Sequence, residues 1–459
     1  MFKTLVNAFK TKDVRNKILI TIGILLLYRL GCWLPLPGID PSNFASLSEG
    51  DSTSFLSLIS AISGNALQNG AFFALGISPY INASIIMQLL TIAIPRLERL
   101  SKQGDDGRKK IAQYTRYFTL ALAIAQSVGI IISWNNNGAL IPGYMFTANT
   151  PVWVIGVIIG LLMLAGTTLV MWLGERITEI GVGNGISLLI FTGIISTAGQ
   201  SIQKAIENMF GFGRGAGNTN QLKNGAMWQL IAFFILVIVI FVLIIFIDLA
   251  ERRIPIQYAK QIKGRKQYGG QSTHIPIKVN ANGVLPIIFA TALISFPQML
   301  FSMFINTGTD HEKWYYRFYS WWERSLGTGT WAYSILVVLL IFAFSYFYAQ
   351  IQFNPEEVSR NIQQYGGFVP GIRPGKPTTE YLSRISKRLT FFGAIFLAFI
   401  ALIPTIIFKT VFTGEQYSQT QLVNAFSATG MLIVVSVALE FDKQLESLLM
   451  MKHYKGFLK

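Results

Sequence analysis

The sequence predicts an all-α integral membrane protein with ten transmembrane helices in two inverted five-helix halves. Three observations lead there. Of 459 residues, 52% are hydrophobic and only 13% charged, against about 25% charged in a typical soluble protein; mean hydropathy is +0.46. Ten apolar runs approach the ~20 residues that a bilayer span requires, at roughly 18–36, 72–93, 114–133, 151–173, 186–202, 227–248, 279–304, 331–352, 389–408 and 421–440. Basic residues are also shared unequally between the two sets of connections. Thirty of the 38 Lys and Arg lie in the two tails and the loops on the same side, seven lie in the opposite loops, and Arg29 falls inside the first run. An even number of spans puts both termini on one face, and the positive-inside rule makes that face cytoplasmic. The net charge of +16 is therefore mostly topology and does not by itself indicate nucleic-acid binding.

The basic N-terminus followed by apolar sequence from Ile18 has the outline of a signal peptide. Arg29 interrupts the run, however, and no small-x-small cleavage site precedes Pro35-Leu36-Pro37, so it reads as a retained first span. Arg29 has two outlets: it snorkels to the interface on its flexible stem, or it meets a backbone carbonyl. The stretch Ser54–Leu90 is unlike the rest. A mildly amphipathic segment from Phe55 to Ile62 stops at a Gly-Asn turn, and the next apolar run is broken early by Gly76-Ile77-Ser78-Pro79. A half-length segment beside a Gly/Pro-broken helix is what channels and transporters place at their centre. The alternative is a re-entrant or external surface helix with no part in transport.

Residues 1–202 form the N-terminal half with five spans. Residues 203–226 are an external loop, 227–440 hold the other five spans, and 441–459 are a cytoplasmic tail. An odd number of spans per half inverts one half relative to the other, which places a functional path at their interface. Four cytoplasmic connections stand out: 95–116, the tight Gly-rich 174–185, and the long, basic, Gly/Pro-punctuated 251–278 and 354–388. The last two are expected to project as hairpins or loops. The external HEKWYYRFYSWWER (311–324) suggests an interfacial helix or aromatic belt.

Several chemistries are missing. Cys32 is the single cysteine, so no intrachain disulfide is possible, and His274, His311 and His453 show no metal-ligand spacing. No Walker loop or catalytic dyad occurs, and no enzymatic activity, cofactor or metal is expected. Asp248, Glu440 and Asp442 sit at cytoplasmic helix ends, and Glu175 and Glu179 lie in the Gly-rich turn, so no span carries the mid-membrane carboxylate of an ion-coupled transporter. What remains is a path closed by apolar side chains, which excludes ions and water by dewetting. Ile77 and Ile81 flank the Ser78-Pro79 step, and Ile186 and Ile190 follow Gly185, each pair one turn apart beside a breaker. Taken alone, such residues are far more often lipid-facing or packing positions, and spacing does not pick out the ones that line a path.

ALGISPYINASIIMQLL (74–90), GRKKIAQYTRY (107–117), MWLGERITEIGVGNGISLLIF (171–191), QSTHIPIKVNANGVLPIIFA (271–290), GFVPGIRPGKPT (367–378) and PLPGID (35–40) together resemble the SecY family, the large subunit of the bacterial protein-conducting channel. The resemblance implies two halves around a central hourglass pore for unfolded chains. It also implies a lateral gate for signal sequences and membrane helices. It assigns the constriction to Ile77, Ile81, Ile186, Ile190, Ile288 and Ile433. The plug falls at about 54–67, with Ser54, Phe55, Leu56, Ile59, Ile62, Ser63, Asn65 and Leu67. The gate takes Asn82, Gln126, Asn280 and Phe296; the three amides either bond across the closed gate or pack between helices.

The resemblance further implies docking of a ribosome or a SecA-type motor ATPase on Arg252, Arg253, Lys260, Arg265, Lys266, Arg373 and Tyr454. Ribosomal RNA would offer phosphates to these cations and the motor carboxylates. Where the family often carries two arginines this chain has Arg265-Lys266, and Lys lacks the bidentate contact of Arg. Other implied partners are SecE- and SecG-type small membrane subunits, nascent chains, and lipids of a bacterial cytoplasmic membrane. Two further classes stand beside this reading. A small-solute secondary transporter is opposed by the missing mid-membrane carboxylates and the large basic loops. A scaffold without a conduit leaves the half-length segment unexplained.

Overall fold

Each of the ten apolar runs overlaps a long helix in the computed structural model. The described residues are 2–37, 39, 63–136, 151–210, 224–258, 261–263, 266–268, 272–280, 283–304, 314–326, 330–411 and 428–457. Among them the long helices are Lys12–Gly31, Ser78–Ala93, Asp105–Asn136, Val152–Ile180, Gly185–Phe210, Asn224–Leu249, Leu285–Phe304, Trp331–Gln352, Lys376–Val411 and Ala428–Phe457. By length and apolarity alone four described stretches suffice to cross a bilayer: Asp105–Ile132, Trp153–Ile180, Trp331–Gln364 and Lys376–Ile403. A fifth is the pair Ser78–Ala93 and Pro95–Ser101, bent by 105° at Ile94. The chain is a multi-pass membrane protein.

The described residues divide into two compact units, 1–229 with 294–330 and 408–459, and 230–293 with 331–407. In the first unit the 78–93 helix packs on 105–136, that helix on 152–180, and 152–180 on 185–210. The 12–31 helix lies against 152–180, and 428–457 against both 185–210 and the N-terminal helix Phe2–Lys10. Between lipid-embedded helices the hydrophobic effect offers little net drive, so association rests on close packing and hydrogen bonds. The contacts reflect this. Ile155, Ile159 and Met163 on one helix are fully buried against Leu67, Leu75 and Ile130. At Gly166 any side chain would overlap the Phe72 carbonyl, so the residue must be glycine for the 72–77 backbone to lie against this helix.

The Gly-rich 174–185 connection is the tight turn expected. Thr178 Oγ1 donates to the Gly174 carbonyl at 3.0 Å and accepts from the Gly185 N–H at 2.9 Å. Asn184 Oδ1 accepts from the Ile186 N–H at 3.1 Å, capping the next helix. Thr21 Oγ1 accepts from the Val182 N–H at 3.1 Å, docking the turn on the first span. The segment 311–324, expected as an interfacial helix or aromatic belt, contains the helix Trp314–Leu326. Its exposed Trp314, Phe318 and Trp321 recur at four- and three-residue steps, on one stripe.

In the second unit the connections 251–278 and 354–388, expected as projecting hairpins or loops, come together. Strand Glu251–Tyr258 pairs antiparallel with Ser272–Lys278 on one side and Gly367–Phe368 on the other. Ile254 and Ile256 alternate inward and share a core with Ile277, Ile362, Val369 and Leu382. The helix Pro355–Gln364, capped by Asn354 Oδ1 on the Glu356 N–H at 3.2 Å, closes over it. This part is small and water-facing, and each fully buried isoleucine contributes about 2 kcal/mol there. Within the same unit Phe289 meets Phe344 and Tyr348 edge-on, at 5.6 and 5.7 Å between ring centroids.

Candidate functional site

The second apolar run is helical only from Ser78. Residues 72–77 form consecutive turns, all buried or half-buried, and Pro79 occupies the first helical turn, where its missing N–H is harmless. This corrects the expectation of a span running from 72: the Gly76–Pro79 step is where the helix starts. Sixteen helical residues reach about 24 Å at 1.5 Å each, short of a bilayer's ~30 Å. Irregular backbone precedes the helix, and protein encloses it, the condition under which non-helical chain is tolerated at membrane depth.

That irregular backbone is tied to the end of the first span. The Leu36 N–H donates to the Gly70 carbonyl and the Phe72 N–H to the Leu34 carbonyl, both at 2.8 Å. The Tyr28 ring, fully buried, stacks on Phe73 at 5.8 Å. Arg29 Nη1 donates to the Gly64 carbonyl at 3.3 Å, so of its two expected outlets it takes the backbone carbonyl. Cys32 Sγ lies 3.6 Å from the Ser63 carbonyl, and Asn65 Nδ2 donates to Gln200 Oε1. Ser63, Asn65 and Leu67 are buried. The other expected plug residues, Ser54, Phe55, Leu56, Ile59 and Ile62, lie outside the described residues.

Of the six expected ring residues, five lie in the first unit. Ile77 caps the 78–93 helix and is buried; its carbonyl accepts from the Tyr80 and Ile81 N–H groups at 3.1 Å, which sets Ile81 one turn on. Ile190 and Ile433 are buried, and Ile81 and Ile186 half-buried. Ile190 and Ile433 sit on helices that pack together. Ile288, half-buried beside Phe289, belongs to the second unit.

The expected gate amides separate in the same way. Asn82 and Gln126 lie on neighbouring helices of the first unit, Asn82 half-buried and Gln126 buried. Gln126 Oε1 has no hydrogen-bond partner among the described residues. Asn280 Nδ2 donates to Asp248 Oδ1 at 2.7 Å within the second unit, beside a pocket of about 430 Å³ lined by Lys278, Ser386 and Thr390 among others. That bond joins one expected gate residue to a carboxylate placed at a helix end. For Phe296 only the backbone, in the 285–304 helix, is described.

Arg252 and Arg253 project from the 251–258 strand, and Arg253 Nε pairs with Glu251 Oε1 at 2.8 Å. Arg373 is exposed in the turn between Gly371 (φ +81°) and Gly375 (φ +96°). Its carbonyl accepts from Thr378 Oγ1 at 2.8 Å, while Ser359 Oγ holds the Gly375 carbonyl at 3.1 Å. The 367–368 strand thus brings the Arg373 turn and the Arg252–Arg253 strand onto one small domain, a proximity that periodicity in either loop alone does not reveal. In the first unit Arg116 pairs with Glu175 at 2.7 Å. Lys260 and Arg265 lie outside the described residues, and for Lys266 and Tyr454 only the backbone is described. Among the described residues no cluster of metal-binding side chains occurs.

A multi-pass helical protein with a broken, protein-enclosed second span and a folded basic domain has the build of a membrane conduit. Comparison gives the particular family. The SecY family profile matches residues 71–441. The protein translocase subunit SecY of Corynebacterium glutamicum is 41% identical, over 99% of both chains, and that of Streptomyces coelicolor 42% identical over 100% of both. Among solved structures, a protein-conducting channel superposes with a TM-score of 0.61 at 19% identity, covering 94% of this chain and 91% of that one. A SecY whose plug domain stabilises the closed channel and maintains a membrane seal gives 0.59 at 19%, with the same coverage. Sec61 in the canine ribosome–channel complex gives 0.56 at 18%, again with the same coverage. The chain belongs to the SecY family. Its fold is the ten-helix channel fold, and its function is that of the central pore-forming subunit of the protein translocation channel.

Proposed function

We propose that this subunit passes unfolded secretory proteins across a bacterial cytoplasmic membrane, with both termini cytoplasmic, and releases transmembrane segments sideways into the bilayer. The observation that carries the reading is the irregular, buried segment 63–77, pinned to the first span and leading into a short broken helix. A segment that is neither a span nor a solvated loop suits a stopper. Ile77, Ile81, Ile186, Ile190, Ile288 and Ile433 form the constriction, and aliphatic side chains give a passing chain no polar partner to stick to. Residues 54–67 are the plug that seals it from outside.

Asn82, Gln126, Asn280 and Phe296 line the gate between the halves 1–202 and 227–440. The unsatisfied Gln126 acceptor supports this, because leaving a buried acceptor unpaired costs about 1–3 kcal/mol, and an amide that exchanges partners at a gate accounts for its retention. Signal sequences compete for such contacts. The chain performs no chemistry of its own; a ribosome or a SecA-type ATPase on the Arg252, Arg253 and Arg373 surface drives it. Similar channels have been captured on ribosomes, and a folded basic domain offers the phosphate- or carboxylate-binding face that either partner requires. Lys260, Arg265, Lys266 and Tyr454 extend the surface, and SecE- and SecG-type subunits complete the assembly in lipid.

Paired cysteines, one at 54–62 and one on the external side of the SecE-type subunit, test the plug. Crosslinking is expected during translocation and not at rest. Equal crosslinking in the resting channel would contradict a mobile plug.

A further inference from the structure

We propose that Arg29 is a positioning residue for the plug, its guanidinium on the Gly64 carbonyl holding the plug base at rest while Gln200 holds the same base from the opposite side. The proposal rests on the reading of 54–67 as the plug, and its test separates the two.

The base is built to be gripped. Gly64 and Asn65 take consecutive left-handed conformations, with φ of +69° and +66°. Such a pair reverses the chain locally, and the Ser63 and Gly64 carbonyls both face donors at the end of the first span, Cys32 Sγ and Arg29 Nη1. From the other side Asn65 Nδ2 reaches Gln200 on the 185–210 helix, and Gly64 lies against the backbone of Gly193 on that helix. The base is therefore clasped between two helices by side-chain bonds. Beyond it, residues 70–72 are held by backbone pairing to 34–36. The two kinds of tether differ in consequence. Backbone pairing at 70–72 stays in place whatever the plug does, whereas the side-chain bonds at 63–65 are those that a plug moving outward would break.

Arginine suits this position for a physical reason. An ionised side chain within a span is costly unless it finds a partner, and such residues mark functional paths. A charge-assisted bond is about twice as strong as a neutral one. At 3.3 Å this one is longer than the ~2.9 Å mode, so the expected effect is one power of ten and not several.

The test uses the full chain assembled with its small subunits in planar bilayers, with resting ion conductance as the readout. Arg29→Leu and Gln200→Leu are each expected to raise conductance roughly tenfold, and Arg29→Lys, which keeps charge and donor, to stay near the parent. Deleting 54–62 is expected to raise it as well, and adding Arg29→Leu to the deletion to raise it no further, because the residue acts through the plug. Should Arg29→Leu fail to assemble, Gly64→Ala gives the same readout with the charge kept, since its methyl group overlaps the guanidinium. A leaking deletion with a tight Arg29→Leu overturns the positioning role and leaves the plug reading standing. So does additivity of the two, which marks a general packing defect. A deletion that does not leak overturns the plug reading, and this proposal with it.

Discussion

A channel carrying Ile81→Asn and Ile190→Asn together is expected to leak ions at rest and to export precursors with defective signal sequences. Both residues follow chain breaks, Ser78-Pro79 and the Gly181–Gly185 turn, which places them within the first two turns of the 78–93 and 185–210 helices. If they line the constriction, they keep it dry because nothing there binds water. An amide prefers water over an apolar site by about 2–7 kcal/mol, and 1.36 kcal/mol is a factor of ten in a rate. Two amides should therefore raise resting ion flux by at least about tenfold. A wetter constriction also lowers the barrier that a good signal sequence normally overcomes, so weak signals should pass. Planar-bilayer conductance and export of a signal-defective reporter check both. Unchanged values in a variant that assembles normally would remove these residues from the ring.

Reversing Arg373 to Glu is expected to abolish most motor-driven translocation while leaving the protein at its normal level in the membrane. The side chain is exposed, so it contributes little to folding. Its backbone is nonetheless fixed with care, by two left-handed glycines and by the hydroxyls of Thr378 and Ser359. Generic positive-inside charge needs no such scaffold; a contact residue does. Removing one member of a buried interfacial charge pair costs about 2–5 kcal/mol, so translocation at limiting motor should fall by roughly thirtyfold or more. Arg373→Lys should recover only part, lacking the bidentate contact. Normal ATPase stimulation and export in Arg373→Glu would exclude the turn from the docking face.

Ten helices were legible because apolar runs of span length need no tertiary context to be recognised. The start of the second helix was not. An apolar run looks the same whether its backbone is helical or merely enclosed, and residues 72–77 are enclosed. The small strand domain was half legible. Ile254 and Ile256 alternate as a strand should, but pairing of Gln257 and Tyr258 with Phe368 and Gly367 joins positions more than a hundred residues apart. Arg29 was visible as an anomaly in an apolar run. Its acceptor was not, because Gly64 offers its carbonyl through a left-handed turn that only glycine's presence hinted at. Gln200 carried no signal: a single amide near a span end is ordinary until Asn65 is found opposite it. The family resemblance supplied most residue roles, since spacing alone could not choose among many isoleucines.

The central claim is that this chain conducts polypeptides, and reconstitution tests it most directly. The chain and its small subunits are placed in vesicles with a SecA-type ATPase, ATP and an unfolded precursor, and precursor protected from added protease is measured. The account predicts protected precursor that depends on ATP, on a functional signal sequence and on Arg373. Precursor that stays fully digestible while the vesicles accumulate a small solute would contradict it.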